Sequence, residues 1–453
     1  MKKDIVCIMS DQHNGFYTSM NPEMEDITPN IKRIAETGCW VEQAYCNAPL
    51  CVPSRMSFLT GKQPAQNRIM NNDTTLNVDE VTLAHEIGLE GYETILVGRM
   101  HFKGLDQFHG FDRRYIGDIT NQYWGMTRDE IKEFHKSFGS KHCQTLIGAG
   151  ESPILDFDQR VFEKAKELLQ TPHTKPIFMV VGFYSPHYPY ISKEETIRVT
   201  SSVQEEQMAY PWETCYQDCR QDTTKERVAF INQAYKRMIY TIDGYVGKLY
   251  DAFHQAGDGL FVYTSDHGDQ LGKRSIFGKR TLYEDAIRIP MLLHGVNTEL
   301  HHPIDLISLH DMLLSYAKNG NIELAEKPII VQSILGKKDH LIWCEAVILN
   351  QYKLVFLNGT KHLYNIVQDV QEQHDLSMEL PDMLRTLSTY LSKEHEVRQY
   401  LAYEQKRQDI IETLNAHGKA KHMSYQSDFQ VQDLFIPKPH YEYRKEDIQC
   451  DNQ

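Results

Sequence analysis

Short, mostly apolar runs alternate with amphipathic stretches along the first two-thirds of the chain, a pattern that predicts a sheet flanked by helices. Ile5 to Met9, Thr94 to Val97, Ile177 to Gly182 and Leu260 to Thr264 have the length and composition of buried strands. Thr28 to Glu36 and Phe157 to Leu169 carry apolar residues at helical spacing. Polar residues follow each of these strands at once: Asp11 and Gln12, Arg99 and His101, His187, then Asp266 and His267. In open α/β sheets the ligand crevice lies beyond the carboxyl ends of the strands, so four separate segments are expected to deliver polar groups to one place.

After about residue 330 the texture changes. Ile342 to Leu349, Tyr352 to Leu357 and Lys361 to Asn365 read as short antiparallel strands, with a turn at Asn358-Gly359. A helix from about Pro381 to Lys393 is expected to pack on them. The division predicted is a catalytic α/β domain over 1–330, a small α+β subdomain over 331–400 and a tail over 401–453. That tail starts helical at about Leu401 and becomes irregular around Pro437 and Pro439. No internal repeat or low-complexity segment interrupts this layout.

A chain of 453 residues, 41% hydrophobic and 24% charged, is long enough for one large core and a smaller appended unit. Its 48 Lys and Arg against 62 Asp and Glu give a net charge of −14, which argues against a broad basic surface for nucleic acid or anionic lipid. An anionic substrate must therefore meet a locally basic pocket. The first apolar run is too short for a signal-peptide core, and no stretch approaches the roughly 18 apolar residues of a membrane span, so a cytoplasmic protein is expected. Nine cysteines, odd in number and irregularly spread, fit reduced thiols better than a disulfide framework. Cys215 and Cys219 lack a second pair at zinc spacing.

The segment Cys51-Val52-Pro53-Ser54-Arg55, continued by Leu59-Thr60-Gly61-Lys62, resembles the signature of type I sulfatases, in which the Cys is oxidised to formylglycine before folding completes. C-x-P-x-R alone arises by chance in about one or two per cent of chains this long. A serine that attacked sulfur would be left as a stable ester, whereas a hydrated aldehyde carries two geminal hydroxyls, one to attack and one to expel sulfate. Asp11-Gln12 and Asp266-His267-Gly268 resemble the family's metal site, and Gly98-Arg99-Met100-His101 its G-K-x-H segment. Pro186-His187-Tyr188-Pro189 matches its P-H-x-P loop, and Lys279 to Glu284 its K-x-x-x-Y-E. Tyr240 to Gly247 looks like the long helix that precedes the D-H-G strand, and His362 to Asn365, with Asp375-Leu376, like the closing motif.

The resemblance implies an alkaline-phosphatase-like fold: a large mixed sheet flanked by helices, with a smaller C-terminal antiparallel sheet plus helix. It implies a divalent metal held by Asp11, Gln12, residue 51, Asp266 and His267. Calcium is the expected ion, and the nitrogen ligand admits manganese. Sulfate would lie against Arg55, Arg99 and Lys279, with Asn72 adding a neutral hydrogen bond. His101 would be the base that triggers sulfate release, while His187 and Lys279 hold the sulfate and steady or protonate the leaving alcohol.

Asp-Gln and Asp-His at the metal positions look like choline sulfatases and phosphonate monoester hydrolases. Asp106 to Phe111, Gln405-Lys406-Arg407 and Tyr441 to Arg444 also match the choline-sulfatase branch. That branch implies a homo-oligomer joined through the tail, a small sulfate ester as substrate and a formylglycine-generating enzyme as partner. Tyr123 and Trp124 are candidates for an aromatic cage around a quaternary ammonium. Two rival readings keep the fold: a phosphonate monoester or phosphodiester hydrolase, and a silent sulfate or glycan binder in which Cys51 is never oxidised.

Overall fold

The computed structural model describes residues 2–120, 124, 143–193, 213–221, 223–296, 300–337 and 340–420. At its centre lies a seven-stranded mixed sheet in the order Cys39–Trp40, Met291–His294, Gly259–Ser265, Asp4–Asp11, Ile177–Pro186, Glu93–Gly98, Arg113–Tyr115. The five strands from Gly259–Ser265 onward run parallel, and the two at the other edge are antiparallel to their neighbours. This is the large mixed sheet the sequence predicts. Its central strands are apolar on both faces because helices cover both. On one side Val6, Ile8, Met179 and Val181 pack against Pro153–Gln170 and Lys225–Ala256 through Val161, Ile242 and Val246. On the other, Cys7, Met9 and Val180 share a core with Val52, Met56 and Leu59 of the helix Cys51–Thr60.

The helix expected to start at Phe157 starts a turn earlier. Pro153 occupies its first position and Ser152 caps it by accepting from Leu155 N at 3.3 Å, an arrangement proline and serine favour there. Close backbone approach explains two glycines in the sheet. A Cβ on Gly182 would lie 1.8 Å from Arg99 O, and one on Gly98, whose φ is +85°, would lie 2.4 Å from Gly182 O. The chain thus leaves the sheet at Arg99 with no space for a side chain beneath it.

The C-terminal sheet is antiparallel, in the order Ile329–Leu335, Ile342–Leu349, Tyr352–Leu357, Thr360–Asn365. Positive φ at Asn358 and Gly359 makes the expected tight hairpin. Its first strand, Ile329–Leu335, is absent from the sequence reading. Val347, Leu354 and Leu363 meet Leu387 of the helix Pro381–Ser388 on one face. On the other, Val331, Ala346 and Val355 join the core that holds the Cys51 helix, so the small sheet is fused to the large unit. The expected helix to Lys393 stops at Ser388, and a second, Glu394–Ala420, begins earlier than Leu401. No described helix is long and apolar enough to cross a membrane. Tyr123, Pro437, Pro439 and Tyr441 to Arg444 lie outside the described residues.

Candidate active site

Asp11 ends its strand and Asp266 follows the adjacent parallel one, in which Ser265 lies opposite Ser10, so register alone sets the two carboxylates side by side. Gln12 turns the chain with a φ of 71°, and its N–H donates to Asp266 Oδ1 at 2.9 Å. His101 also sits in the left-handed region, at 62°. Such conformations in non-glycine residues collect at functional sites. Cys51 opens its helix over the same strand ends. Ser54 Oγ donates to Asp266 O at 2.5 Å, and Asn72 Oδ1 accepts from Val52 N at 3.0 Å. Asn72 thus tethers the helix start.

Asp11, Cys51, Asp266 and His267 are all buried and offer ligand atoms within 4.8 Å of one another. Among the described residues, no other group of three or more His, Cys, Asp or Glu does so, and Cys215 and Cys219 join none. His267 Nδ1 donates to Gly268 O at 3.0 Å, which leaves the Nε2 lone pair facing Cys51 Sγ at 3.1 Å. Asp11 Oδ1 is 3.7 Å from the same sulfur. Two carboxylates and an outward-facing imidazole nitrogen, oriented by a backbone carbonyl, suit one divalent cation. Gln12 differs from expectation in detail. Its Oε1 accepts from Lys279 Nζ at 2.5 Å and its Nε2 donates to Asp269 Oδ2 at 2.5 Å, so its amide links Lys279 to the site.

Both arginines are fully engaged by the protein. Arg55, fully buried, donates from Nε to Asp266 Oδ2 at 2.8 Å, from Nη2 to Asp11 Oδ2 at 3.1 Å and from Nη1 to Arg99 O at 3.1 Å. All three of its nitrogens are engaged by the protein, so its charge balances the carboxylates instead of cradling sulfate as expected. Arg99 donates to Asp11 Oδ2 at 2.6 Å, to Asp118 Oδ1 at 2.8 Å and to His101 Nδ1 at 2.8 Å, and lies 4.7 Å from the Tyr184 ring centre.

These neighbours set the titration. Burial would raise Asp11, but Arg99, His187 and Arg55 hold it well below the usual carboxylate range. Burial lowers His101 and His187, with help from Arg99 on the first and Lys279 on the second. Burial, then Asp11, pushes the Cys51 thiol up to about 11, so as a thiol it is a poor nucleophile at neutral pH. The two neutral histidines carry opposite tautomers. A guanidinium only donates, so His101 accepts at Nδ1 and carries its proton on Nε2. His187 donates from Nδ1 to Tyr188 O at 2.6 Å, which leaves its Nε2 lone pair 3.9 Å from Asp11 Oδ1. The base role expected of His101 runs against this arrangement.

All eleven predicted site residues thus fall in one connected, mostly buried network. Four others belong to it. Asp118 accepts from Arg99 and from His101 N at 2.9 Å. Asp269 holds Gln12 and accepts from Tyr190 OH at 2.7 Å. Tyr184 stacks on Arg99, and Asp158 accepts from Tyr184 N at 2.6 Å and Ser185 N at 2.9 Å, which fixes the loop bearing His187. Asp269 lies two residues beyond His267, a spacing that could have suggested it, whereas Asp118 carries no sequence signal.

Comparison with known proteins places this geometry in a family. A sequence model of the sulfatase family matches residues 3–316, and the chain belongs to that family. A choline-sulfatase of Rhizobium meliloti (strain 1021) is 30% identical over 323 residues, 65% of this chain and 63% of that protein; the match thus spans under two-thirds of that relative's length. An arylsulfatase of Clostridium perfringens (strain 13 / Type A) is 27% identical over 336 residues, 65% of this chain and 69% of that one. A phosphonate monoester hydrolase of Agrobacterium radiobacter shares the fold, with a TM-score of 0.67, 16% identity and coverage of 88% of this chain and 96% of that one.

Proposed function

We propose that the chain hydrolyses a sulfate monoester through a formylglycine made from Cys51 by a separate maturation enzyme. The observation that carries this reading is the placement of Cys51 Sγ, 3.1 Å from His267 Nε2 and 3.7 Å from Asp11 Oδ1, inside the buried ligand group. Asp11, Asp266, His267 and residue 51 would hold the cation, with Gln12 reaching it only by sharing the oxygen that Lys279 occupies. Calcium is the expected ion and manganese the alternative. When bound, it neutralises charge on the sulfuryl oxygens and acidifies the attacking hydroxyl.

One hydroxyl of the hydrated aldehyde forms an O–S bond as the ester S–O bond breaks, and the alcohol leaves with a proton. The second hydroxyl then gives up its proton, the carbonyl re-forms, and the bond to sulfate breaks. Lys279 faces the charge that develops on the sulfuryl oxygens, while Arg99, whose three nitrogens are bound to Asp11, Asp118 and His101, adds its positive charge from behind those groups. His187, with a free lone pair, and His101, with a free N–H, form a pair able to take one proton and give another. Asn72, whose Oδ1 is held by Val52 N, would add a hydrogen bond from its amide nitrogen to the bound ester.

The substrate we favour is a small organic sulfate of the choline-sulfate kind, on the strength of the choline-sulfatase relative and of Trp124. That indole donates to Asp73 O at 3.0 Å and offers a ring to a quaternary ammonium. The protein is proposed to act in the cytoplasm as a homo-oligomer. The test is turnover of choline sulfate and an aryl sulfate by protein co-expressed with a maturation enzyme, alongside Cys51→Ala. Full activity in that variant would remove the nucleophile assignment. The Asp-Gln and Asp-His pattern sustains a second reading as a phosphonate monoester hydrolase, and kcat/KM on a phenyl phosphonate ester relative to the sulfates decides between them. Peptide mass at residue 51 separates both from a silent binder, since a thiol retained in active-host material is the binder's mark.

A further inference from the structure

A buried ion cluster joins the C-terminal sheet to the far side of the candidate metal site. Lys353, on the strand Tyr352–Leu357, lies 2.9 Å from Glu284 Oε1 and 2.7 Å from Glu372 Oε1, with no more than 1% of any of these side chains exposed. Glu284 Oε2 also accepts from Tyr45 OH at 3.0 Å, and Glu372 Oε2 accepts from Glu284 N at 2.8 Å. Two carboxylates this close, removed from water, cannot both keep their charge without a cation between them. Lys353 supplies it.

Glu284 begins the turn of helix Glu284–Ile287, and that turn touches the metal-site loop directly. Gly268 N donates to Ala286 O at 2.8 Å. A Cβ on Gly268 would lie 2.1 Å from Asp285 O, so the two segments pack with no slack. Gly268 O in turn accepts from His267 Nδ1 at 3.0 Å, the bond that aims Nε2 at residue 51. Upstream, the stretch carrying Lys279 is pinned by Arg280 N to Pro49 O at 3.1 Å and by Leu282 N to Tyr216 OH at 3.0 Å. Glu284 is its downstream anchor.

We propose that Lys353 is a positioning residue for the metal site: through Glu284 and the turn it begins, it fixes the Gly268 carbonyl that orients His267. The C-terminal sheet is thereby part of the site's machinery although it contributes no residue to the site itself. This inference rests on the reading of Asp11, Asp266 and His267 as cation ligands.

The experiment is calorimetric titration of calcium, and separately manganese, into metal-free full-length protein. Loss of an orienting partner behind a ligand costs on the order of ten-fold or more in cation affinity, and Lys353→Met is expected to show that loss together with lower kcat/KM on a sulfate ester. Glu284→Gln changes no volume and carries the same expectation, so it serves if the lysine variant does not fold. Leu387→Ala loosens the opposite face of the same sheet, through its contacts with Val347 and Leu354. It is expected to lower the melting temperature while leaving cation affinity within two-fold, which a merely structural role for Lys353 would also predict for Lys353→Met. Wild-type protein that binds the cation, with Glu284→Gln and any folded Lys353→Met binding as tightly as Leu387→Ala, overturns the relay alone. Wild-type protein that binds neither cation overturns the metal-site reading and the relay with it.

Discussion

Arg55 and Asp266 meet at 2.8 Å with neither side chain exposed to solvent. A second nitrogen of the same guanidinium reaches Asp11 at 3.1 Å, so one arginine from the signature helix bridges the ends of two adjacent parallel strands. Removing it leaves two buried carboxylates short of a counter-charge. Arg55→Ala is expected to destabilise the fold by about 3–5 kcal/mol, read from denaturant unfolding. Arg55→Lys should recover only part of this, since an ammonium cannot reproduce the fork. A cost below about 1 kcal/mol, the range of exposed pairs, would mean that the bridge does not support the strand ends.

The cluster of Asp11, Asp266 and His267 predicts a metal-linked stability. A chelator should abolish sulfate-ester turnover and lower Tm, and returning a divalent cation at 100 times its Kd should restore about 2.7 kcal/mol. In His267→Ala that Tm response should shrink sharply. Indifference of Tm to both chelator and cation in the wild type would count against a metal at this place.

Asp118 makes no contact with the ligand group, yet it holds both Arg99 Nη1 and the His101 backbone. Asp118→Asn keeps the shape and removes the charge. Misplacement of Arg99 and His101 by about 1 Å is expected to cost up to ~100-fold in kcat, with metal affinity and KM changed far less. An unchanged kcat would confine Asp118 to folding.

Burial pushes the Asp158 carboxyl up to about 6, against the hydrogen bonds from Ser185 and Tyr184 that lower it. The folded state therefore holds this proton more tightly than the unfolded chain, whose value is about 3.9. The stabilisation is fully present below about pH 4 and is lost as pH rises through about 6. Two pKa units correspond to on the order of 3 kcal/mol. Measured against Asp158→Asn, wild-type stability should fall by that order between pH 4 and pH 7. A difference that stays flat with pH would show that Asp158 does not titrate in this window.

The parallel centre of the fold and the place of the site were legible because both depend on local pattern. Apolar runs such as Ile5 to Met9 mark strands buried on both faces, and the polar residues just beyond them mark the crevice. Contacts between distant segments were not legible. Nothing near Asp118 announces that it will meet Arg99, and nothing near Lys353 announces Glu284, because such pairings are made by topology. The strand Ile329–Leu335 is a different case: Pro328 just before it and Gly336 just after it, at a φ of 83°, mark its ends in the sequence, and it was passed over although legible. Arg55 stands in the signature, but its partners were not legible, since only the folded structure shows that its nitrogens are already taken.

Residue 51 lies almost wholly out of reach of solvent, with 1% of its surface accessible, at the start of a helix that is buried along its entire length. On the proposed nucleophile, a modifying enzyme can reach that sulfur only while the polypeptide is still open. Each molecule's competence is then decided during its synthesis, and a chain that closes around an untouched thiol stays inert however much modifying enzyme it later meets.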